Sequence, residues 1–346
     1  MARKKTSDEN HDSPRLFDEI DFGLDIDFLS DEIAGPIVEQ HTSYVAKGAE
    51  SQSFEINPEV LSKRSALKFI SFGSGSSGNC AYLGNGESGI LIDAGVDPEK
   101  VYKGLKDNKI DLKKISGIVL THDHADHVKY AYTILRTHRW MVLYATPRTM
   151  SGLLRRHSIS RRIKDYHKAI YKEFPFKTGS FEITPFETSH DGTDNVGYFI
   201  ESEDKNHRFV VATDMGKITD RADFYMRQAN YLMIESNYDM KMLMQGAYPE
   251  YLKARIVGER GHMDNIVTAD YVSRIYSPEL SHVFLCHLSE DNNSPTIALS
   301  TVRSALETKG LRVGEPSSPL MADSLDVGLT ALPRFESSPL YLLRRK

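Results

Sequence analysis

The chain has 346 residues, 40% hydrophobic and 26% charged, with a formal net charge of −5, an ordinary globular composition with enough apolar material for a large core. No apolar segment of signal-peptide length opens the sequence and no run is long enough to span a bilayer, which argues against secretion and membrane insertion and points to the cytoplasm. Two cysteines, Cys80 and Cys286, exclude a disulfide framework or a thiolate-rich zinc site.

Residues 1–64 hold 7 Lys/Arg against 14 Asp/Glu and alternate acidic with apolar residues in "DEIDFGLDIDFLSDEI". Without sustained periodicity they read as an acidic, disordered tail. From Leu67 the texture changes to short strand-like runs, "LKFISF", "AYLG", "GILIDAG", "GIVLTH" and "MVLYAT", with a helix-like stretch from Pro98 to Lys106. A second series follows, "FEITPFETSH", "VGYFIES", "RFVVATDMG", "YLMIES" and "HVFLCHLS", with helical patterns at Ala269 to Ile275 and Thr296 to Glu307. Strands recurring between helices predict an α/β layered domain over residues 65–314. The runs "ILIDAG" and "VVATDMG" each end in an aspartate and a small turn, which suggests two related halves. Beyond Gly314 the chain is rich in serine and proline, and residues 315–346 read as a flexible C-terminal tail.

Chemistry concentrates at "THDHADH", Thr121 to His127, where three imidazoles and two carboxylates crowd into seven residues. Such crowding is unfavourable unless a cation sits among the groups. Imidazole and carboxylate donors without thiolates suit zinc or manganese. His190, Asp214 and His287 each follow a strand-like run, where a rigid scaffold can present them to a common edge.

The ordered set Asp93, HxHxDH, His190, Asp214 and His287 resembles the metallo-β-lactamase superfamily, whose fold is an αββα four-layer sandwich of two similar halves. The resemblance covers roughly Leu67 to Leu311. It implies two divalent metal ions, Zn²⁺ or Mn²⁺: His122, His124 and His190 on one, Asp126, His127 and His287 on the other, Asp214 bridging. Asp93 would orient a ligand imidazole from behind, as metal-bound histidines generally require. "SFGSGSSGNC", "ESNYDMKMLMQGAYPEYLKARI", "GHMDN" and "HLSEDNN" are similar to segments of the YycJ/WalJ (VicX) group of bacterial metallohydrolases, regarded as 5′ to 3′ exonucleases acting on duplex DNA. Tyr238 and "GHMDN" depart from the "NHD" and "GHLSN" of that pattern. Similarity to the tRNA 3′-processing endonucleases implies catalytic roles for His262 as proton donor and Glu235 as its holder, beside Asp126; Asp264, two residues after His262, is a candidate to raise its pKa, with a geometry the sequence does not fix.

Between Lys129 and Lys177 there are 12 Lys/Arg against Asp165 and Glu173 only, the footprint of a polyanion partner. Arg155, Arg156, Arg161 and Arg162 are candidate phosphate contacts, and Trp140, Tyr144 and Tyr166 candidate stacking platforms for unpaired bases. "GSGSSGN" suggests a phosphate cradle with Ser74, Ser76, Ser77 and Asn79, and Ser289, Asn292 and Asn293 are placed to touch a nearby phosphate. The expected function is a two-metal phosphodiesterase acting on DNA, a 5′ to 3′ exonuclease in repair. The alternatives are a hydrolase of a small phosphodiester or thioester, or an RNA-processing nuclease. The acidic tail is expected to dock on the basic surface or on a protein partner.

Overall fold

The computed structural model describes residues 66–315 and 324–344; the acidic N-terminal segment lies outside them. Two sheets form. The first contains β1 (Leu67–Gly73), β2 (Cys80–Gly84), β3 (Gly89–Ile92), β4 (Ile115–Val119), β5 (Val142–Ala145) and β6 (His167–Ala169). The second contains β7 (Phe176–Thr178), β8 (Phe181–Glu187), β9 (Val196–Ser202), β10 (Arg208–Ala212), β11 (Tyr231–Glu235), β12 (His282–Cys286), β13 (Val313–Gly314) and β14 (Val327–Ala331). The last strand, β15 (Tyr341–Leu343), returns to pair with β1.

Helices cover the outer faces: α1 (Pro98–Asp107), α2 (Ala125–Val128), α3 (Ala131–Thr137) and α4 (Pro147–Arg156), then α5 (Asp220–Met226), α6 (Met240–Gln245), α7 (Glu250–Val257), α8 (Asn265–Ile275) and α9 (Pro295–Glu307). The caps are local. Asp97, Thr146, Thr219, Asp264 and Ser294 each accept a backbone N–H at a helix start, and Pro98, Pro147 and Pro295 occupy first-turn positions where no amide proton is needed.

Three apolar clusters define the layers. Phe69, Phe209 and Phe284 meet between the sheets, Phe69 lying 5.0 and 4.7 Å from the other two ring centres. Ile118, Leu143, Val101, Leu135 and Leu153 fill the space under α1, α3 and α4, while Leu232, Leu285, Met226, Val272 and Val302 do so under α5, α8 and α9. Helix, sheet, sheet, helix is the predicted four-layer sandwich. The parallel central strands β4, β11 and β12 are buried almost throughout, because both of their faces are covered.

The predicted boundary at Gly314 is corrected. β14 lies between β12 and β13 in the second sheet and is buried along most of its length, and Ser338 binds the backbone of Ser71. Serine and proline around these strands mask two runs that are too short to show periodicity. Among the described residues no helix is long and apolar enough to cross a membrane.

Candidate metal centre

The site lies along the C-terminal ends of β3, β4, β10, β11 and β12, where open α/β sheets place their chemistry. Three of its residues have left-handed backbone: Asp93 (φ 59°), Asp214 (φ 53°) and His287 (φ 54°). Each follows a strand at once or after one residue. Such a conformation costs about 1–3 kcal/mol in a non-glycine residue and survives only where the surroundings hold it. Here they do. Asp93 N donates to Val119 O at 2.9 Å, and His287 N donates to Ser74 Oγ at 2.9 Å. Asp93 and Asp214 end the two look-alike runs, so the sequence echo corresponds to a shared strand-end geometry.

The loop from Thr121 to His127 is clamped from below. Asn79 N donates to Asp126 O at 2.7 Å, Ala94 N to His127 O at 2.8 Å and Gly95 N to Asn79 O at 2.9 Å. Gly95 has no room for a side chain, since a Cβ would stand 1.6 Å from Asp126 O. Beneath the loop Asp93 accepts Thr121 N at 2.8 Å and His127 Nδ1 at 2.8 Å, which turns His127 Nε2 toward the site. His190 Nδ1 donates to Gly261 O at 2.9 Å, with the same effect on its Nε2.

Two donor sets result. One atom each of His122, His124 and His190 lies within 4.8 Å of the others, and so do atoms of Asp126, His127 and His287. Asp214 stands between the sets, one oxygen 3.8 Å from His190 Nε2 and 3.5 Å from His287 Nε2, the other 3.4 Å from His127 Nε2. His122 Nε2 is buried with no hydrogen-bond partner. An orphaned, buried imidazole nitrogen facing two others fits a cation and is hard to explain otherwise.

Charge is distributed unequally. Burial and the neighbouring imidazoles hold His122 well below the usual imidazole range; burial holds His190 at about 4, against the pull of Asp214. Burial also opposes protonation of His127 and His287. There Asp214, with Asp126 and other carboxylates, overcomes it, raising His127 and bringing His287 to about 10.

Glu235, at the end of β11 and 0% exposed, organises the far wall. Oε1 accepts His262 Nδ1 at 2.7 Å and His287 Nδ1 at 3.0 Å, while Oε2 accepts Met215 N at 2.7 Å and Met263 N at 3.3 Å. His262 is partly exposed and stacks on His287 with ring centres 5.2 Å apart. Asp264 does not serve His262; its carboxylate caps α8 through Ile266 N at 2.6 Å.

Several residues read as substrate contacts sit behind the site. Ser74 holds His287, and Asn79 Nδ2 donates to Asp126 Oδ2 at 3.0 Å. Asn293 is buried, donating to Ser236 O and Asn237 O, and Asn292 is buried beside it. Ser76 and Ser77 are exposed and Ser289 half-buried. Tyr144 is buried and stacked on Phe176 at 4.8 Å, so it offers no face to a base, whereas Trp140 is exposed. Arg155, Arg156, Arg161 and Arg162 are all exposed. Arg156 Nε lies 3.5 Å from Asp123 Oδ2, inside the histidine motif.

Asp191 was not singled out from sequence, although it directly follows His190. Its Oδ1 lies 3.2 Å from His124 Nε2 and its Oδ2 is gripped by Arg255 at 2.6 Å. Asn237, whose Nδ2 approaches His287 Nδ1 at 3.2 Å, carried no signal beyond its place after β11.

Residues 89–287 match the beta-lactamase superfamily domain. The chain is 34% identical over 250 residues to exodeoxyribonuclease YycJ of Bacillus anthracis, covering 72% of this chain and 92% of that protein. It is 31% identical over 249 residues to exodeoxyribonuclease WalJ of Streptococcus pneumoniae, covering 72% and 91%. Among solved structures, the metallo-beta-lactamase fold protein YhfI of Bacillus subtilis superposes with a TM-score of 0.54 at 15% identity, covering 80% of this chain and 99% of that one. Zinc-bound PqqB of Methylobacterium extorquens does so with a TM-score of 0.52 at 15% identity, covering 79% and 99%. At these identities the two structures speak for the fold alone.

Proposed function

The chain belongs to the beta-lactamase superfamily, in its metallo-beta-lactamase fold, and from that premise we propose that it is a metal-dependent nuclease acting on DNA, a 5′ to 3′ exonuclease serving repair in the cytoplasm. The observation that carries this reading is near full-length kinship with proteins named exodeoxyribonucleases. The two donor sets around Asp214 and the run of exposed arginines beside them support it.

His122, His124 and His190 would hold one divalent ion, and Asp126, His127 and His287 a second, with Asp214 common to both; donors of this kind favour Zn²⁺ or Mn²⁺. Bound there, the ions supply Lewis-acid polarisation of a phosphoryl oxygen and an activated water. The protein supplies the rest. Asp93 fixes the His127 tautomer and Gly261 O that of His190. Glu235 accepts the Nδ1–H of His262 in a hydrogen bond, so that Nε2 is the nitrogen left to protonate the departing oxygen of the cut strand. A proton donor so placed contributes about 10²- to 10⁴-fold in rate. The acidic residues 1–64 complement the basic face in charge, as a docking segment or through a basic protein partner.

The test is cleavage of end-labelled linear duplex DNA by metal-loaded protein, with circular DNA as control and Asp214→Ala and His262→Ala beside the native chain. Loss of label from 5′ ends of linear DNA alone, abolished in Asp214→Ala and slowed about 10²-fold or more in His262→Ala, is expected. Metal-loaded protein that cuts no nucleic acid refutes the proposal and leaves small phosphodiesters and thioesters; preference for RNA refutes the DNA assignment.

A further inference from the structure

A cleft of about 370 Å³ opens next to the first donor set, with His190 itself in its wall. Four cations line it from four separate places in the chain: Arg148 in the first turn of α4, Lys172 between β6 and β7, Lys217 after Asp214, and Arg260 between α7 and α8. Its two carboxylates are occupied. Asp194 accepts Thr146 Oγ1 at 2.7 Å and pairs with Lys172 at 2.8 Å, and Glu187 pairs with Lys172 at 3.3 Å. Lys217 pairs with Glu259 at 2.5 Å. Among the described residues Arg260 engages only its Nε, on His190 O at 3.1 Å, and Arg148 makes no ion pair or hydrogen bond. Two uncommitted guanidinium groups therefore converge on a polar cleft that already touches a candidate ligand.

Helix α4 joins this cleft to the basic run. Arg148, Gly152, Arg155 and Arg156 share one side of it, following the i, i+4, i+7, i+8 spacing of a helix face. Gly152 is the point of contact with the histidine loop, since a Cβ there would stand 2.0 Å from Asp123 Oδ2 and 2.3 Å from Thr193 Oγ1. Only a bare backbone lets the helix lie so close. Eight residues of α-helix advance about 12 Å, the axial length of roughly three to four phosphates along one strand of a duplex. The arginines at the two ends of α4 thus lie on either side of its contact with the histidine loop, at a separation suited to a polynucleotide backbone.

We propose that the Arg148–Lys172–Lys217–Arg260 cleft is a phosphate-binding subsite that holds a backbone phosphate flanking the scissile one. The proposal rests on the nuclease reading above, which it makes more specific. Guanidinium groups bind phosphate oxygens in a two-pronged geometry, and the cleft adds no apolar floor for a base, so it grips backbone without reading sequence.

The experiment measures the Kd of fluorescein-labelled duplex DNA by anisotropy in chelator, where no cleavage occurs, over a series of salt concentrations. Arg148→Ala and Arg260→Ala are compared with native protein and with Lys106→Ala, an exposed change of the same charge on α1. Each cleft variant is expected to bind about 5- to 10-fold more weakly and to reduce the slope of log Kd against log salt by about 0.9, one phosphate contact. The double variant should lose close to the product of the two. Cleft variants that match the native Kd and slope overturn the subsite while leaving the nuclease reading standing. So does an equal loss in Lys106→Ala, which would mean that total charge alone is felt. Native protein that binds no DNA in chelator and, when metal-loaded, cuts none refutes the reading beneath it, and the subsite with it.

Discussion

Glu235→Gln isolates what one buried carboxylate does. Four N–H donors converge on its two oxygens, two from backbone and two from imidazoles, at 2.7–3.3 Å. Glutamine offers one acceptor oxygen, and its NH₂ only donates. If the amide oxygen stays with Met215 and Met263, the nitrogens of His262 and His287 face another donor. Hydrogen bonds to charged groups are worth about 1.5–3 kcal/mol each, so losing both costs roughly 3–6 kcal/mol. The loss divides between two roles. The His287 share weakens metal binding by about 10- to 100-fold, the usual effect of removing a partner behind a ligand. The His262 share, one bond of about 1.5–3 kcal/mol, slows turnover by about 10- to 10²-fold. Calorimetric metal titration and turnover at saturating metal separate them: Glu235→Gln should lose both, and His262→Gln turnover alone. Native-like metal affinity in Glu235→Gln refutes the shared-carboxylate argument. Loss of a metal in His262→Gln would make His262 a ligand instead of a proton donor.

Metal loading should also report the unequal charge of the two donor sets. At pH 7 His122 and His190, both held below that pH, carry no proton for a cation to displace, whereas His127 and His287, both held above it, do. Titrations in buffers of different ionisation enthalpy should show more proton release on filling the second set than on filling the first. Affinity of the second set should rise as pH climbs from neutral toward about 10, where His287 deprotonates; equal release at both sets contradicts the assignment. Gly95→Ala drives a methyl into Asp126 O and should destabilise the fold by about 1–3 kcal/mol, read as a lower midpoint in urea, with weaker metal binding at the second set. An unchanged midpoint would mean that the clamp beneath the loop is loose.

The donor pattern of the candidate metal centre was legible because its members are chemically conspicuous and each sits where an apolar run stops. The same rule exposed the layered fold, since buried parallel strands read as unbroken apolar runs. What stayed hidden depends on tertiary position. Ser74 and Asn79 look like phosphate ligands until the fold turns them under His287 and Asp126. Tyr144 looks available to a base until Phe176 covers it. Asp264 is two residues from His262, yet helix capping claims its carboxylate. β14 and β15 are short, and only their partners β12 and β1 give them a reason to be strands. Asp191 was readable in principle, as a second acid beside a histidine, but its grip on His124 joins two loops that sequence alone does not bring together.

The pairing of β1 with β15, which sets Leu67 opposite Leu343, reaches into the protein's biogenesis. During synthesis the first strand emerges long before its partner exists, and its open edge must wait while nearly the whole domain is translated. Contacts so distant along the chain form slowly, and an unpaired edge is a template for wrong pairing in the meantime. A ribosome that stalls or shifts frame after Leu311 would release a chain with every candidate ligand in place and neither sheet complete. A product cut short there would lack the partner of β1 and carry an open sheet edge in its place.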